Sequence, residues 1–463
     1  MAINNKKDIK DAAVDNSDNS SQSFGLAIAT SLVIGTMIGS GIFLLPASLA
    51  GFGQYSFYGW LFSALGAVSL AWVFAKLSHW QPGLGGPYFY TRIGVGEFPA
   101  FLVAWGYWVS IWTGNAAIAV AAVSYCKTLL PILNQSPVLS IALALGFVWL
   151  FTLVNISGVK EAGKVQLITT LLKAIPLIIF AVIGIFLIDF NSVSTSDSLG
   201  VNNVAKLSAS TSEESPIKLI IAAAALWLWA FLGVESASIP AENIKDPTRT
   251  IPKATMLGVL IVAAIYLIGF IVVFGTLKQA ELAQSSAPFA DAASRLWGDW
   301  AGIAMAVVAL ISTLGALNGL ILMGGQMPMA AARDNLFPAW FAKQNNKSAP
   351  MIGIILSSSL TSLLVLLSSS ENLLHVFEFA ILLSTTAILV AYLFSSSAAF
   401  RLQMQRTDQY KIISLVIIVA AFLFSLWAVA GAGQEAVYWG FILMMAGLPF
   451  YTLLKIAKDR SKS

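Results

Sequence analysis

The sequence predicts an all-α integral membrane protein of twelve transmembrane helices, and three observations carry that prediction. Of 463 residues, 58% are hydrophobic and only 10% charged, against roughly 25% charged in an ordinary soluble domain. Apolar runs of the length a helix needs to cross the hydrocarbon core, about 20 residues, follow one another with no polar block between them. The runs are continuous rather than alternating, which favours helices over a membrane barrel. One integral domain is therefore expected, although a soluble chain of this length would suggest about three.

Taken in order, residues 1–24 are polar and carry Lys6, Lys7 and Lys10 against Asp8, Asp11, Asp15 and Asp18. They lack the apolar core of a secretory signal and read as a disordered cytosolic tail. The spans then fall at 25–50, 55–78, 98–126, 137–157, 163–188, 217–240, 254–277, 297–328, 350–369, 373–399, 412–432 and 436–456. Residues 458–463 close the chain as a second cytosolic tail. With the N-terminus inside, 20 of the 26 Lys and Arg residues lie in cytoplasmic segments and 5 in outer ones. That bias places both termini in the cytosol of a bacterial-type inner membrane. It also accounts for the net charge of +4 without a nucleic-acid partner. The remaining basic residue is Lys173, inside span 5. A single cysteine, Cys126, and two histidines leave no material for a disulfide or a multi-ligand metal site, and no cofactor is predicted.

Two spans are marked by interruptions. Span 1 reads SLVIGTMIGSGIFLLPASLA, with Gly35, Gly39 and Gly41 in its middle; span 6 reads AALWLWAFLGVESASIPAENI, with Gly233 beside Glu235 and Pro240 following. Glycine weakens a helix interior by about 1 kcal/mol relative to alanine and admits a ligand close to the backbone. Where a helix unwinds, N–H groups at the start of the second half-helix suit a carboxylate, and freed carbonyls suit an ammonium. A zwitterionic amino acid needs both. Breaks in the first and sixth spans also suggest two five-helix repeats of inverted topology, 25–188 and 217–399, followed by extra helices over 412–456. For span 1 alone, a GxxxG packing face formed by Gly35 and Gly39 is the competing account; the second break at the equivalent place weighs against it.

The segments IGTMIGSGIFLLPASLA, PGLGGPYFYTRIG, LWAFLGVESASIPAENIKDPTRTIPKA and GGQMPMAAARDNLFPAWFAK resemble the amino acid–polyamine–organocation superfamily, in particular its bacterial arginine/agmatine antiporter branch. The resemblance runs from about residue 25 over nearly the whole chain. It implies the fold of the bacterial leucine transporter, sodium-independent exchange of amino acids or their decarboxylated amines, and a dimer as in the family exchanger. It also assigns residues. The backbone around Met37, Gly39, Ser40 and Gly41 is expected to hold the substrate carboxylate, and the carbonyls near Trp229 and Leu232 its amine. Trp229 matches the outer gate; about 12 residues into its span, or roughly 18 Å at 1.5 Å per residue, it lies too deep for an interfacial belt. Tyr107, Glu235 and Tyr392 match the inner gate. Glu235 needs protonation, a partner or a water-filled cavity in any case, since a carboxylate in hydrocarbon is costly. Ser110, Ile111, Asn115 and Ser384 match positions around the substrate's side-chain end. Taken alone, each polar residue among them reads equally as a helix–helix hydrogen bond.

Three positions depart from the arginine/agmatine exchanger. Thr36 replaces an asparagine. Leu320 replaces a tryptophan that stacks on guanidinium, forfeiting about 0.5–2 kcal/mol of cation–π attraction, which points away from arginine. Lys173 stands where many sodium-independent relatives carry a lysine and the exchanger has none. Its ammonium is expected either to replace the sodium that leucine-transporter relatives bind between spans 1 and 8, or to exchange a proton during transport; a purely structural cation bonded to span 1 carbonyls is the alternative. The expected function is an antiporter working by alternating access. A proton-coupled symporter and a non-transporting amino-acid receptor stand as alternatives, while an intramembrane enzyme lacks a nucleophile–base pair or metal cluster.

Overall fold

The computed structural model describes residues 24–39, 41–130, 132–133, 136–188, 215–285, 287–367, 374–406, 412–431 and 434–460. The expected tails at 1–24 and 458–463 fall outside it but for Phe24 and residues 458–460, and Ser40 falls outside it as well. The described residues are helical, with one isolated bridge between Phe24 and Ile244. Among the described residues nine helices are long and apolar enough to cross a membrane, or ten when the bent pair in span 1 counts as one.

In chain order, α1 (Leu26–Met37) and α2 (Gly41–Leu49) make the first span, bent by 41° between its halves. Then come α3 (Tyr55–Trp80), a short α4 (Pro87–Gly94), α5 (Glu97–Leu129), α6 (Pro137–Ile156) and α7 (Val159–Leu187). The shorter apolar α8 (Pro216–Ala230) is followed by irregular chain and then α9 (Pro247–Thr276). Two small helices, α10 (Gln279–Gln284) and α11 (Pro288–Trp297), lead into α12 (Asp299–Arg333), α13 (Met351–Leu367) and α14 (Leu374–Met404). The chain ends with α15 (Ile412–Gly431), α16 (Gln434–Ala446) and α17 (Leu448–Arg460). The sequence foresaw neither α4 nor α11, because both are too short and too polar on one face to register as spans. It also drew 436–456 as one helix, where Gly447 separates α16 from α17.

Helices α12 and α14 both pack on α5, α1 packs against α7, α9 and α12, and α3 packs against α8 and α9. Small residues allow this closeness: a methyl on Gly59 of α3 would meet the α8 backbone at Ala223 and Ala224, and one on Gly258 of α9 would meet Val33 of α1. The periphery is apolar and exposed. α15 presents Ile412, Ile413, Val416, Val419, Leu423 and Leu426, while α6 and α7 present Leu150, Leu153, Ile175 and Phe186. A surface of that extent suits lipid rather than water.

One end of the bundle, where α1 begins and α12 ends, is knitted by polar bonds. Arg92 pairs with Asp334 at 2.9 Å, Arg333 with Glu242, and Lys455 with Glu97 at 2.7 Å. Tyr88 donates to Asp334 at 2.7 Å, and burial together with that carboxylate raises the Tyr88 phenol above its ordinary pKa. Phe24 donates its N–H to Asn243 O and accepts from Lys245 N at 2.9 Å. This is the basic end. The opposite end has a lighter set of contacts, chiefly Arg295 with Glu281 at 2.8 Å, a pairing that lowers the Glu281 pKa.

Candidate functional site

The break in span 1 begins at Met37. Ile38 leaves helical geometry at φ −80°, ψ 83°, and α2 resumes at Gly41. The carbonyls released by α1 are met from two sides. Lys173 of α7, fully buried, donates to Gly35 O at 2.7 Å, to Ser312 O at 3.2 Å and to Ile38 O. Three acceptors match the three N–H groups of an ammonium. Ser312 of α12 adds its own hydroxyl to Ile38 O at 2.9 Å and to Gly39 O at 3.2 Å. Helix α7 therefore binds the break through one cation and α12 through one hydroxyl.

Span 6 departs from the expectation of two half-helices. After Ala230 the chain makes turns and two 3₁₀ segments, Ser236–Ser238 and Ala241–Asn243, with no second α-helix. The reason is local. Gly233 sits at φ +103°, Pro240 lacks a donor, and Ser236 and Ser238 turn their hydroxyls onto the carbonyls of Gly233 and Glu235, both at 2.6 Å. Side chains of this kind compete with the helical ladder.

The two interrupted segments lie side by side. Thr36 of α1 and Ser236 share a hydrogen bond of 2.7 Å. Tyr266 of α9, fully buried, places its hydroxyl 2.7 Å from Met37 O and 3.1 Å from Ala230 O. One phenol thus bridges the last carbonyls of α1 and α8. Below them Tyr107 of α5 donates to one oxygen of Glu235 and Tyr392 of α14 to the other. Tyr392 also accepts from Gly233 N at 3.0 Å. All three side chains are buried, so the carboxyl has a partner on each oxygen and meets the requirement for placing such a group at this depth.

The remaining candidates fall around this centre. Trp229 covers Gly41 so closely that a methyl there would overlap the indole ring. Met37, Ser110 and Ile111 are buried, and Gly39 and Leu232 are half-buried. Ser110 bonds back to Tyr107 O, and Ser384 of α14 donates to Ser110 O at 2.8 Å. Leu320 is partly buried against the core that holds Ile111 and Trp108. Asn115 is 1% exposed, yet neither its Nδ2 nor its Oδ1 has a protein partner. Among the described residues no group of three His, Cys, Asp or Glu side chains is placed to hold a metal ion.

Sequence reasoning missed Tyr266 and Ser312, and a buried chain of amides in which Asn155 donates to Asn318 at 3.1 Å and Asn318 to Gln166 at 2.9 Å. The signal was present: a phenol or an amide within an apolar span needs a partner there. Which partner it finds is not written locally. With the carbonyls of Gly35, Met37, Ile38 and Ala230 engaged, the groups left for a ligand include the Asn115 amide and the first amides of α2, which lack intrahelical acceptors and attract a carboxylate.

An amino acid permease family model matches residues 24–455. The cadaverine/lysine antiporter of Escherichia coli K12 is 32% identical over 94% of this chain and 95% of its own. The putrescine transporter PotE of Haemophilus influenzae is 31% identical over 96% and 99%, and that of Escherichia coli K12 is 30% identical over 94% and 96%.

Proposed function

We propose that this chain, which belongs to the amino acid permease family, is a secondary transporter that exchanges amino acids for their decarboxylated amines across a bacterial inner membrane. The observation that carries this reading is the pairing of two interrupted segments at the bundle centre. Bare amides at the start of α2 lie beside Trp229, and the unpaired amide of Asn115 lies farther along α5. One end offers donors to a carboxylate, the other a carbonyl oxygen to an ammonium. The substrates of the relatives, lysine, cadaverine and putrescine, make basic amino acids and diamines the first to test. Leu320 fits them, since a methylene chain packs on an isobutyl group and needs no aromatic face.

In the proposed cycle both termini face the cytosol, so the basic end is the cytosolic end. The chain crosses twelve times as one domain, with inverted repeats over 25–188 and 217–399. Trp229 closes the outer side over Gly41. Tyr107, Glu235 and Tyr392 close the inner side, and release of Glu235 by its two tyrosines opens it. Lys173 supplies a fixed positive charge where sodium-coupled transporters bind an ion. Counterflow in proteoliposomes tests the reading: vesicles loaded with unlabelled cadaverine should accumulate labelled lysine. Equal accumulation in empty vesicles rules out exchange, and no accumulation of any amino acid or diamine defeats the transporter reading.

A further inference from the structure

The amide of Gln326 on α12 is fully buried, and neither Nε2 nor Oε1 has a protein partner. Among the described residues only Asn115 shares that condition on both amide atoms. Other buried amides are at least half satisfied; Asn318, two turns earlier on the same helix, donates to Ala162 O at 3.1 Å and to Gln166. A buried amide without partners carries a desolvation cost and no return, so Gln326 is not there to stabilise the closed bundle.

Its place on α12 gives the reason. A methyl on Gly315 would lie 3.5 Å from Lys173 Nζ, and one on Gly319 would lie 3.1 Å from the Thr36 methyl carbon. Gln326 is eleven and seven residues further along the same helical stripe, the one that faces α1 and α7. Two residues before it, a methyl on Gly324 would lie 3.1 Å from Ile111 of α5. Four residues after it, Ala330 lies against Gly85, whose N–H bonds Ile239 O at 2.9 Å. Along α12, Gln326 therefore lies between the level of Gly319, which meets Thr36 beside Gly233, and that of Ala330, which meets Gly85 beside Ile239, nearer the basic end of that interval. Asn115 lies eight residues past Tyr107 on α5, away from the basic end, so the two unpaired amides stand at different depths.

We propose that Gln326 is a second substrate contact, on the cytosolic side of the gate. When Glu235 is released, Oε1 accepts a hydrogen bond from the ammonium of a departing or arriving ligand, and Nε2 donates to a carboxylate where the ligand has one. Asn115 serves the closed site and Gln326 the opened path. The inference rests on the exchanger reading above.

The test uses full-length protein in right-side-out and inside-out vesicles with labelled lysine. In Gln326→Leu and Gln326→Met, KM for lysine at the cytosolic face should rise about tenfold, the loss expected for one hydrogen bond to a charged group, while KM at the outer face stays as in the parent. Gln326→Asn, which keeps the amide, should recover part of the cytosolic affinity. Thermal denaturation separates a structural role, since removing an unpaired amide should leave the midpoint unchanged or higher. A marked fall in that midpoint, an equal KM change at both faces or no change at either overturns the inference. Parent protein that shows no counterflow defeats the exchanger reading instead.

Discussion

At the scale of single residues, the break in span 1 depends on donors brought from elsewhere. Lys173 meets three carbonyls, and methionine at that position keeps the length but removes every donor. Gly35 O is then buried without a partner, at about 1–3 kcal/mol, while Ile38 O keeps the Ser312 hydroxyl and Ser312 O stays in the α12 ladder. Lys173→Met is expected to lower the denaturation midpoint and to reduce lysine counterflow more than tenfold. Parent-like counterflow at every pH tested across neutrality would remove both the ion-replacing and the proton-exchanging roles. Tyr266→Phe is a milder change of the same kind. It preserves the ring packed against Trp227 and Phe231 and removes only the hydroxyl shared by Met37 O and Ala230 O. A loss of about 1–3 kcal/mol in unfolding free energy is expected, together with slower exchange, because α1 and α8 lose their shared tie. Urea titration in detergent and counterflow in vesicles check the two parts.

At the scale of elements, the two interruptions arise by different means. Span 1 is a helix that stops at Met37 and starts again at Gly41, so α2 presents fresh amides. Span 6 does not restart as an α-helix; Gly233, Pro240 and two serines hold it in turns, and those turns deliver Glu235 to Tyr107 and Tyr392. Gly233→Ala tests this. At φ +103° an L side chain is strained, at a cost of about 1–3 kcal/mol, and the new methyl would meet the Thr36 hydroxyl at 2.8 Å. The variant should be less stable by that order and should lose exchange, as the turn shifts and Glu235 moves off its tyrosines. Gly41→Ala acts on the other segment. Its methyl displaces the Trp229 indole, so substrate affinity should fall while stability changes little, as read by ligand titration beside thermal denaturation.

At the scale of the whole molecule, the ion pairs among the described residues are concentrated at one end. The basic end is held by Arg92–Asp334, Arg333–Glu242, Lys455–Glu97 and the Phe24–Ile244 bridge, with the Glu235 cluster above them. In the proposed cycle, opening towards this end requires that several of these contacts part together. Exposed pairs of this kind contribute at most about 1 kcal/mol each, so the closed arrangement is reversible at modest cost. A ligand that binds the folded bundle and not the unfolded chain raises stability by RT ln(1 + [L]/Kd), about 2.7 kcal/mol at a hundred times Kd. Lysine, cadaverine or putrescine should accordingly raise the denaturation midpoint of purified protein, and the ranking of the shifts gives the substrate order. The absence of a shift with every amino acid and diamine tried would contradict a site of the proposed kind.

The sequence by itself determined the membrane-embedded, all-helical character, the position of most spans and the interruption between Gly35 and Gly41. These follow from composition and from the local helix cost of glycine, which act along the chain and need no partner. The grouping of Tyr107, Glu235 and Tyr392 was legible through the family resemblance, and the three side chains do meet; burial alone required only that Glu235 find some partner. Tertiary structure decided the rest. Lys173 lies 135 residues from Ile38 and Tyr266 lies 229 from Met37, so no local pattern names those pairings. It also decided that span 6 continues as turns and that the Asn115 and Gln326 amides remain unpaired. The physical reason is that transfer into lipid is a property of each segment, whereas a buried polar group is satisfied only by whichever neighbour the packed bundle brings within hydrogen-bonding distance.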